Sequence, residues 1–382
     1  MAKEKTKKLG NPFVFKGYEG PEYFCDRTEE TEMLVSSLQS GMNITLISPR
    51  KIGKTGLIKH VFHQISQKNK DAVCLYVDIY STQSKHEFVS LFCQSFVEEV
   101  IEREKSLFTK ALDRFRGWRP TVTVDPMTGA LQVSVSIEQQ HTDNTLKSIF
   151  DYIEHLNKDV YIAIDEFQQV ADYAEKGTEA LLRSYIQFSH ARFIFAGSKQ
   201  HLMSEMFLSP KRPFYNSTQI VNLNPLHEKV YFSFARSFFE KRKGGLSEEA
   251  FHSLYNLFDG VTWNIQMVLH RLYDTYTTVE NEQQVLIATD TVIKLMSVNF
   301  EAMQPLLTPA QTDLLKAIAK SEPVAQPLNG DFIKRYDLPS PSTIKSALET
   351  LQNKELVYRT DKGYIIYDRF FSLWLKRTFG PY

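Results

Sequence analysis

A short loop of small and basic residues carries the first chemical signal in this 382-residue sequence. Residues 48–55 read SPRKIGKT and fit the phosphate-binding pattern GxxxxGK[ST], except that Ser48 replaces the first Gly. In that pattern, backbone N–H groups and a helix N-terminus hold phosphate oxygens. Gly53 allows a close backbone approach, Lys54 is expected to bridge the β- and γ-phosphates, and Thr55 is expected to bind Mg²⁺ through its hydroxyl.

A pair of acidic residues gives the second signal. Asp165 and Glu166 follow the apolar run VYIAI at 160–164, which is typical of a buried strand that ends in two carboxylates. Asp165 is expected to hold Mg²⁺ through water, and Glu166 to polarise the attacking water. A GKT tripeptide or two acids at a strand end can each occur by chance. Found together and in this order, they predict a site for ATP and Mg²⁺.

The elements around both motifs would place them as this chemistry requires. Short apolar runs predict buried strands at 43–47, 72–79, 160–164 and 192–196, with helices between them. Strands that alternate with helices indicate a parallel sheet with helices on both faces. The sequence therefore predicts an α/β fold, an αβα sandwich whose strand ends carry the loop and the acids.

One segment interrupts the alternation of strands and helices. Within about 117–140, apolar and polar residues alternate on both sides of DPMTG at 125–129, a pattern typical of a β-hairpin. We interpret it as an insertion in the core, either a device for binding a partner or a cover for the sheet edge.

Beyond Pro225 the sequence pattern becomes helical and then mixed. Helical spacing predicts a helical lid at about 223–305, after a core at 20–222. Three helices and two short strands then predict a winged helix-turn-helix at 306–382. Residues 1–19 are polar and rich in Gly and Lys, so we expect a flexible N-terminal arm.

The charge balance restricts the classes of partner. Lys plus Arg is 45 and Asp plus Glu is 45, so the formal net charge is zero and a basic surface over the whole chain is excluded. From Thr308 onward there are 11 basic and 8 acidic residues. The winged helix could therefore bind DNA or dock a protein. For DNA, the groove-facing residues would be Ser340, Ser342, Thr343 and Lys345, with Lys362 on phosphate.

Cysteine and histidine usage argues against two other kinds of site. Three cysteines without a CxxC pair make a disulfide framework or a cysteine-based zinc site a poor fit. His60 and His63 lie three residues apart, and with no third ligand apparent we interpret them as helix surface.

No apolar run approaches 18 residues, and Gly10-Asn11-Pro12 stands where a signal peptide would be apolar. We expect a cytoplasmic protein with no membrane segment.

Four segments resemble a known family. FCDRTEE at 24–30 is similar to its F-x-G-R-x-x-E motif, and SPRKIGKT to its GPRRxGKT loop. IDEFQ at 164–168 matches its Walker B motif, and FAGS at 195–198 its sensor 1 position. The chain resembles the archaeal-type P-loop ATPases of prokaryotes, which are related to AAA+ and STAND NTPases and carry a C-terminal winged helix.

The resemblance implies an ATPase or a nucleotide-dependent switch. Arg27 and Glu30 would lie near the adenine or its supporting helix. Ser198 would contact the γ-phosphate or the attacking water, unless it simply caps the next helix. Arg212 could act in trans as an arginine finger in a homo-oligomer, or belong to a solvated basic loop. Thr262 replaces a proline of the lid, which implies slow hydrolysis and a switch more than a motor. The alternative is a DNA- or protein-binding regulator that keeps nucleotide as a structural ligand.

The predicted site residues fall into three groups. The catalytic group is Glu166, Lys54 and Ser198, and the metal ligands are Thr55 and Asp165. The nucleotide contacts are Ser48, Pro49, Arg50, Lys51, Ile52, Gly53, Lys54, Thr55, Gly56 and Arg27.

Overall fold

Strands and helices alternate through the first part of the chain, as the apolar periodicity predicts. The computed structural model describes residues 9–103, 118–124 and 131–380. The strands are β1 (Ile44–Ile47), β2 (Val73–Asp78), β3 (Trp118–Val124), β4 (Leu131–Ile137), β5 (Val160–Asp165), β6 (Arg192–Gly197), β7 (Gln219–Asn222), β8 (Gly245–Leu246), β9 (Thr278–Val279), β10 (Val357–Thr360) and β11 (Gly363–Ile366). The helices are α1 (Thr28–Gln39), α2 (Lys54–Lys68), α3 (Lys85–Arg103), α4 (Thr142–His155), α5 (Thr178–Ile186), α6 (Gln200–Leu208), α7 (Glu228–Lys241), α8 (Glu248–Leu257), α9 (Thr262–Thr275), α10 (Glu282–Met303), α11 (Pro309–Ser321), α12 (Gly330–Arg335), α13 (Pro341–Asn353) and α14 (Arg369–Thr378).

Five strands form one parallel sheet in the order β2-β5-β6-β1-β7. Every residue of β1 and β5 is buried, which explains their unbroken apolar runs. The predicted α/β fold is confirmed. The sequence did not predict β7, because its four residues begin with Gln219 and end with Asn222 and give no apolar run.

The strand order brings three strand ends together. β6 lies between β1 and β5, so the loop after β1, the acids that end β5 and Ser198 after β6 lie along the same edge. In an open parallel sheet this carboxyl edge is where ligands bind.

A cluster of buried aromatic rings packs against the residues at this edge. Phe167 is fully buried directly after the acid pair, and its ring centroid lies 4.6 Å from Phe195 and 5.3 Å from Phe214. Phe207 packs against the same rings. The short 3₁₀ helix Phe167–Asp172 is thereby fixed against the end of β6.

The predicted hairpin is present as an antiparallel pair of strands. β3 pairs with β4 from Trp118↔Ile137 to Val124↔Leu131. The predicted turn at 125–129 lies outside the described residues. Whether the hairpin binds a partner or covers an edge stays a prediction.

The chain divides into two compact units, Lys16–Leu226 and a second that joins Leu9–Phe15 to His227–Tyr382. Within the second unit Phe13 is fully buried, with its ring 5.8 Å from Phe238 and 5.6 Å from Tyr273. The expectation of a flexible arm therefore fails for Leu9–Phe15, because one aromatic side chain in a polar stretch is enough to fix it in a core.

The second unit holds the predicted lid helices and the winged helix together. Thr308 and Ser340 cap α11 and α13, and β10 pairs with β11 as the wing. The C-terminal aromatic run packs as expected, since Phe370 lies 4.9 Å from Phe258 and Phe371 lies 5.3 Å from Phe300. The described part of the chain contains no helix long and apolar enough to cross a bilayer.

Candidate functional site

The loop between β1 and α2 has the backbone conformation of a phosphate-binding loop. Its left-handed residues are Lys51 (φ 68°) and Gly53 (φ 100°), and Ser48 is not among them. Ser48 is fully buried, and its N–H donates to the carbonyl oxygen of Gly197 at 3.3 Å. The missing first glycine therefore costs no backbone strain, because position 48 does not need a left-handed conformation.

Lys54, the first residue of α2, is paired with both predicted acids. Its Nζ lies 2.9 Å from Oδ1 of Asp165 and 3.3 Å from Oε1 of Glu166. The Asp165 Oδ2 atom accepts hydrogen bonds from the Thr55 hydroxyl at 2.9 Å and the Tyr76 hydroxyl at 2.7 Å. The structure thus brings together the lysine, the hydroxyl and the two acids that the motifs predicted, although Lys54 and Asp165 are 111 positions apart in the sequence.

The surroundings of Asp165 keep it ionised. Burial alone would raise the pKa of this carboxyl, but the Lys54 ammonium and hydrogen bonds from Lys54, Tyr76 and Thr55 lower its pKa below the usual value. Burial and the neighbouring Asp165 raise the pKa of Tyr76, so its phenol stays protonated and continues to donate. Sequence reasoning missed Tyr76, because only the pairing of β2 with β5 reveals its contact.

Glu166 is held by a second set of donors. Its backbone is left-handed (φ 58°), and its Oε2 accepts from Ser198 Oγ at 2.8 Å and from Gln168 Nε2 at 2.5 Å. Arg50 Nε donates to Ser198 Oγ at 3.2 Å. The alternative role of Ser198 as a helix cap is wrong, because α6 begins at Gln200 with Lys199 at the cap position.

Arg27 has contacts of a structural kind. Its guanidinium is buried and donates to Oε1 of Glu30 at 2.7 Å and to the carbonyl oxygen of Asn224 at 2.6 Å. These bonds tie the start of α1 to the chain after β7. Just before Arg27, Phe24 lies against the first turn of α2, since a Cβ on Gly56 would be 3.5 Å from its ring. The predicted role of Arg27 near the adenine stays a prediction.

Arg212 is not part of a solvated basic loop. Its guanidinium lies 2.6 Å from Oε1 of Glu179 and 3.7 Å from Oε1 of Glu205. That interpretation of Arg212 is therefore wrong, because two acids from α5 and α6 hold the side chain in place. A role in trans would require it to leave both carboxylates.

His60 is buried, so the interpretation of His60 as helix surface is also wrong. Its ring stacks on Phe24 with centroids 4.3 Å apart, and its Nδ1 lies 2.8 Å from the Tyr18 hydroxyl. The sequence gave no hint of this cluster, because Tyr18 and Phe24 precede α1. Over the described ranges, no group of three or more His, Cys, Asp or Glu side chains could hold a metal ion.

His60 should make the fold sensitive to acid. Burial, and then the neighbouring His63, lower the pKa of His60. A lowered pKa means that the unfolded chain binds the proton more tightly, so this contribution to stability is present above about pH 6.5 and is lost as the pH falls below it. The melting temperature should fall between about pH 7.5 and pH 5.5, and fall less in His60→Phe. The exposed His201→Phe is the control, and an unchanged fall in His60→Phe would contradict the assignment.

The side chains at this edge fit a metal-bound phosphate. The Thr55 hydroxyl and the Asp165 carboxylate, 2.9 Å apart, are the hard oxygen donors that Mg²⁺ prefers. The Lys54 ammonium supplies positive charge next to them. Ser48 Oγ is buried at the start of the phosphate-binding loop without a hydrogen-bond partner, so it can bond to a ligand held there.

Solved structures share this fold. The Walker-type ATPase of Pyrococcus abyssi is 17% identical, with a TM-score of 0.64 over 96% of this chain and 99% of that chain. The Aeropyrum pernix ORC1 protein, solved in complex with DNA, is 14% identical, with a TM-score of 0.53 over 96% of each chain. At these identities the likeness concerns the fold alone. No curated protein sequence matches the chain.

Family models cover most of the chain. Residues 298–377 match a probable winged helix domain, in agreement with the three helices and the wing. Residues 24–268 match the ATPase domain that occurs predominantly in Archaea. This second match spans more than half of the chain and contains the phosphate loop, both acids and Ser198. The resemblance read from the four motifs is confirmed: the chain belongs to this family of archaeal-type ATPase domains and carries a C-terminal winged helix.

Proposed function

We propose that this protein binds Mg·ATP at the carboxyl edge of its sheet and hydrolyses it slowly, as a nucleotide-dependent switch. The observation that carries the proposal is the shared ion pair, in which Lys54 contacts Asp165 at 2.9 Å and Glu166 at 3.3 Å. A phosphate-binding lysine, a metal-binding acid and a general base thus meet at the end of one strand.

Each of these side chains has a distinct task in the proposal. Lys54 contacts the phosphates, and Thr55 and Asp165 offer oxygen ligands to the metal. Bound Mg²⁺ would neutralise charge on the phosphates and orient them for in-line attack. Glu166 accepts a proton from the attacking water, and Ser198 and Arg50 lie beside it to contact the reacting phosphate.

Lys54 must leave two carboxylates before it can contact phosphate, so part of the binding energy is used to separate a buried ion pair and ATP binding is weakened. A separate observation favours slow turnover. Thr262 stands at the first position of α9, a position that favours proline in helices because its fixed φ is already helical. A proline at this position would fix φ and stiffen the loop, so Thr262 supports a looser response of the lid.

The loop between α8 and α9 also contacts the winged helix, which supports the winged helix as the part that responds to nucleotide. Within the second unit Asp259 Oδ2 lies 2.9 Å from an Arg369 nitrogen at the start of α14. Phe370 packs on Phe258 at 4.9 Å and on Trp263 at 6.0 Å. A change at the loop before α9 would therefore act directly on the last helix of the winged-helix module.

The alternative function is a DNA- or protein-binding regulator in which nucleotide is a structural ligand. The exposed first turn of α13, with Ser342, Thr343 and Lys345, favours it, as does the DNA in the ORC1 structure. Cys25, Cys74 and Cys93 form no disulfide bond, which suits a reducing compartment, and we place either function in the cytoplasm.

Titration with Mg·ATP and Mg·ADP by calorimetry tests the proposal. Lys54→Ala should weaken ATP binding by about tenfold to a hundredfold, because a hydrogen bond to a charged group contributes about 1.5–3 kcal/mol. Lys68→Ala, an exposed change at the other end of α2, is the matched control. Circular dichroism should establish that Lys54→Ala is folded, since the buried Asp165 and the partly buried Glu166 lose their partner. Failure of the folded wild type to bind either nucleotide would contradict the proposed function.

A further inference from the structure

We propose that Gln168 is a positioning residue for the base, and that it selects which oxygen of Glu166 faces the attacking water. The inference rests on the proposed function and concerns the same site. Gln168 does not touch the reacting atoms in this scheme. It acts through Glu166, by fixing the rotation of that carboxylate.

The two oxygens of Glu166 have different surroundings. Oε2 accepts from Gln168 Nε2 at 2.5 Å and from Ser198 Oγ at 2.8 Å. Oε1 lies 3.3 Å from Lys54 Nζ, on the side of the phosphate loop. Two donors thus hold Oε2, and Oε1 is the oxygen that becomes available when Lys54 turns to a phosphate.

The amide of Gln168 can face Glu166 in one orientation only. A carboxylate accepts hydrogen bonds and does not donate, so the NH₂ group must point toward it. The other end of the amide, Oε1 of Gln168, is then buried without a hydrogen-bond partner, in a residue that is 1% exposed. A buried polar atom without a hydrogen-bond partner destabilises the folded state. A residue selected for stability alone would avoid that cost.

Gly197 at the end of β6 makes the space for this amide. A Cβ at position 197 would lie 2.4 Å from Gln168 Oε1 and 2.5 Å from Met203 Sδ. Gly197 does not have a positive φ, so space and not backbone conformation is the reason for glycine there. The end of β6, directly before Ser198, therefore leaves room for the Gln168 side chain.

The backbone that carries Gln168 is held firmly. Phe167, its neighbour, is fully buried and packs at 4.6 Å on Phe195 and 5.3 Å on Phe214. A side chain can hold a catalytic group to within about 0.5 Å only when its own support is rigid. Gln168 meets that condition.

Replacement of Gln168 by Met tests the inference, because Met keeps the length and removes the donor. We expect kcat to fall about tenfold to a hundredfold, as for other small misplacements of a catalytic group, with the Kd and KM for ATP unchanged. The melting temperature without nucleotide should stay the same or rise, because the unsatisfied oxygen is gone. Gln168→Asn, too short to reach Glu166, should lower kcat similarly.

Gln169→Met is the matched control, since the adjacent Gln169 is partly exposed and donates to the carbonyl oxygen of Tyr80 at 2.8 Å. It should leave kcat unchanged. If the wild-type protein shows no ATP turnover that depends on Glu166, the proposed function is overturned, and this inference with it. If turnover depends on Glu166 but Gln168→Met has a normal kcat, this inference alone is overturned. It is also overturned if kcat falls only to the extent that the melting temperature falls.

Discussion

Glu166→Gln is expected to lower ATP turnover about a hundredfold or more, without loss of ATP affinity. An amide cannot take a proton from water, and a general base contributes about 10²–10⁴ to the rate. The substitution keeps the size of the side chain, so Ser198 and Gln168 keep their positions. It also removes one of the two negative charges that Lys54 balances, which favours binding of a phosphate anion. The turnover number from steady-state kinetics and the Kd from calorimetry separate the two effects.

The same measurements distinguish the two candidate functions. Glu32→Gln makes an identical chemical change on an exposed position of α1 and should leave kcat and Kd unaltered. If Glu166→Gln had no effect on the activity of the protein, nucleotide would be a structural ligand and the regulator would be the better description. Trapped ATP with abolished turnover would support the switch.

The sequence could predict the parts of the site that lie at strand ends. SPRKIGKT and IDE each follow an unbroken apolar run, and such a run in a parallel sheet places the residue after it at the carboxyl edge. The roles expected for Lys54, Thr55 and Asp165 therefore needed only local patterns. Ser48 departs from the motif, and the structure gives the reason why the loop accepts it, since the left-handed positions fall at Lys51 and Gly53.

The sequence could not predict contacts that depend on which strands are neighbours. Tyr76 and Asp165 are 89 positions apart, and a Tyr inside an apolar strand has no visible function until β2 is paired with β5. Gln168 follows the acid motif closely, but its contact with Glu166 depends on the 3₁₀ turn and on the space above Gly197. Phe13 and His60 were misjudged because their burial depends on aromatic residues elsewhere in the chain.

Glu322 should contribute more to the stability of the second unit than any exposed acid does. It follows α11, its side chain is 3% exposed, and it lies 3.0 Å from both Arg369 and Lys376. It also accepts from the Ile366 N–H at 2.9 Å and from the Ser372 hydroxyl. One carboxylate thus joins the end of α11 to the wing and to α14.

Glu322→Ala is therefore expected to lower the free energy of unfolding by about 3–5 kcal/mol, because removal of one partner leaves buried charge without compensation. Arg369 also contacts Asp259 at 2.9 Å. Because Arg369 would keep this acidic partner in Glu322→Ala, we expect a loss at the lower end of that range. Urea unfolding measures the change, and Glu349→Ala, an exposed change on α13, should alter it by less than about 0.5 kcal/mol. If Glu322→Ala does not fold, Glu322→Gln, which keeps the shape and one acceptor oxygen, gives a smaller loss in the same direction. A loss no larger than that of Glu349→Ala would mean that Glu322 does not hold the wing and α14 together.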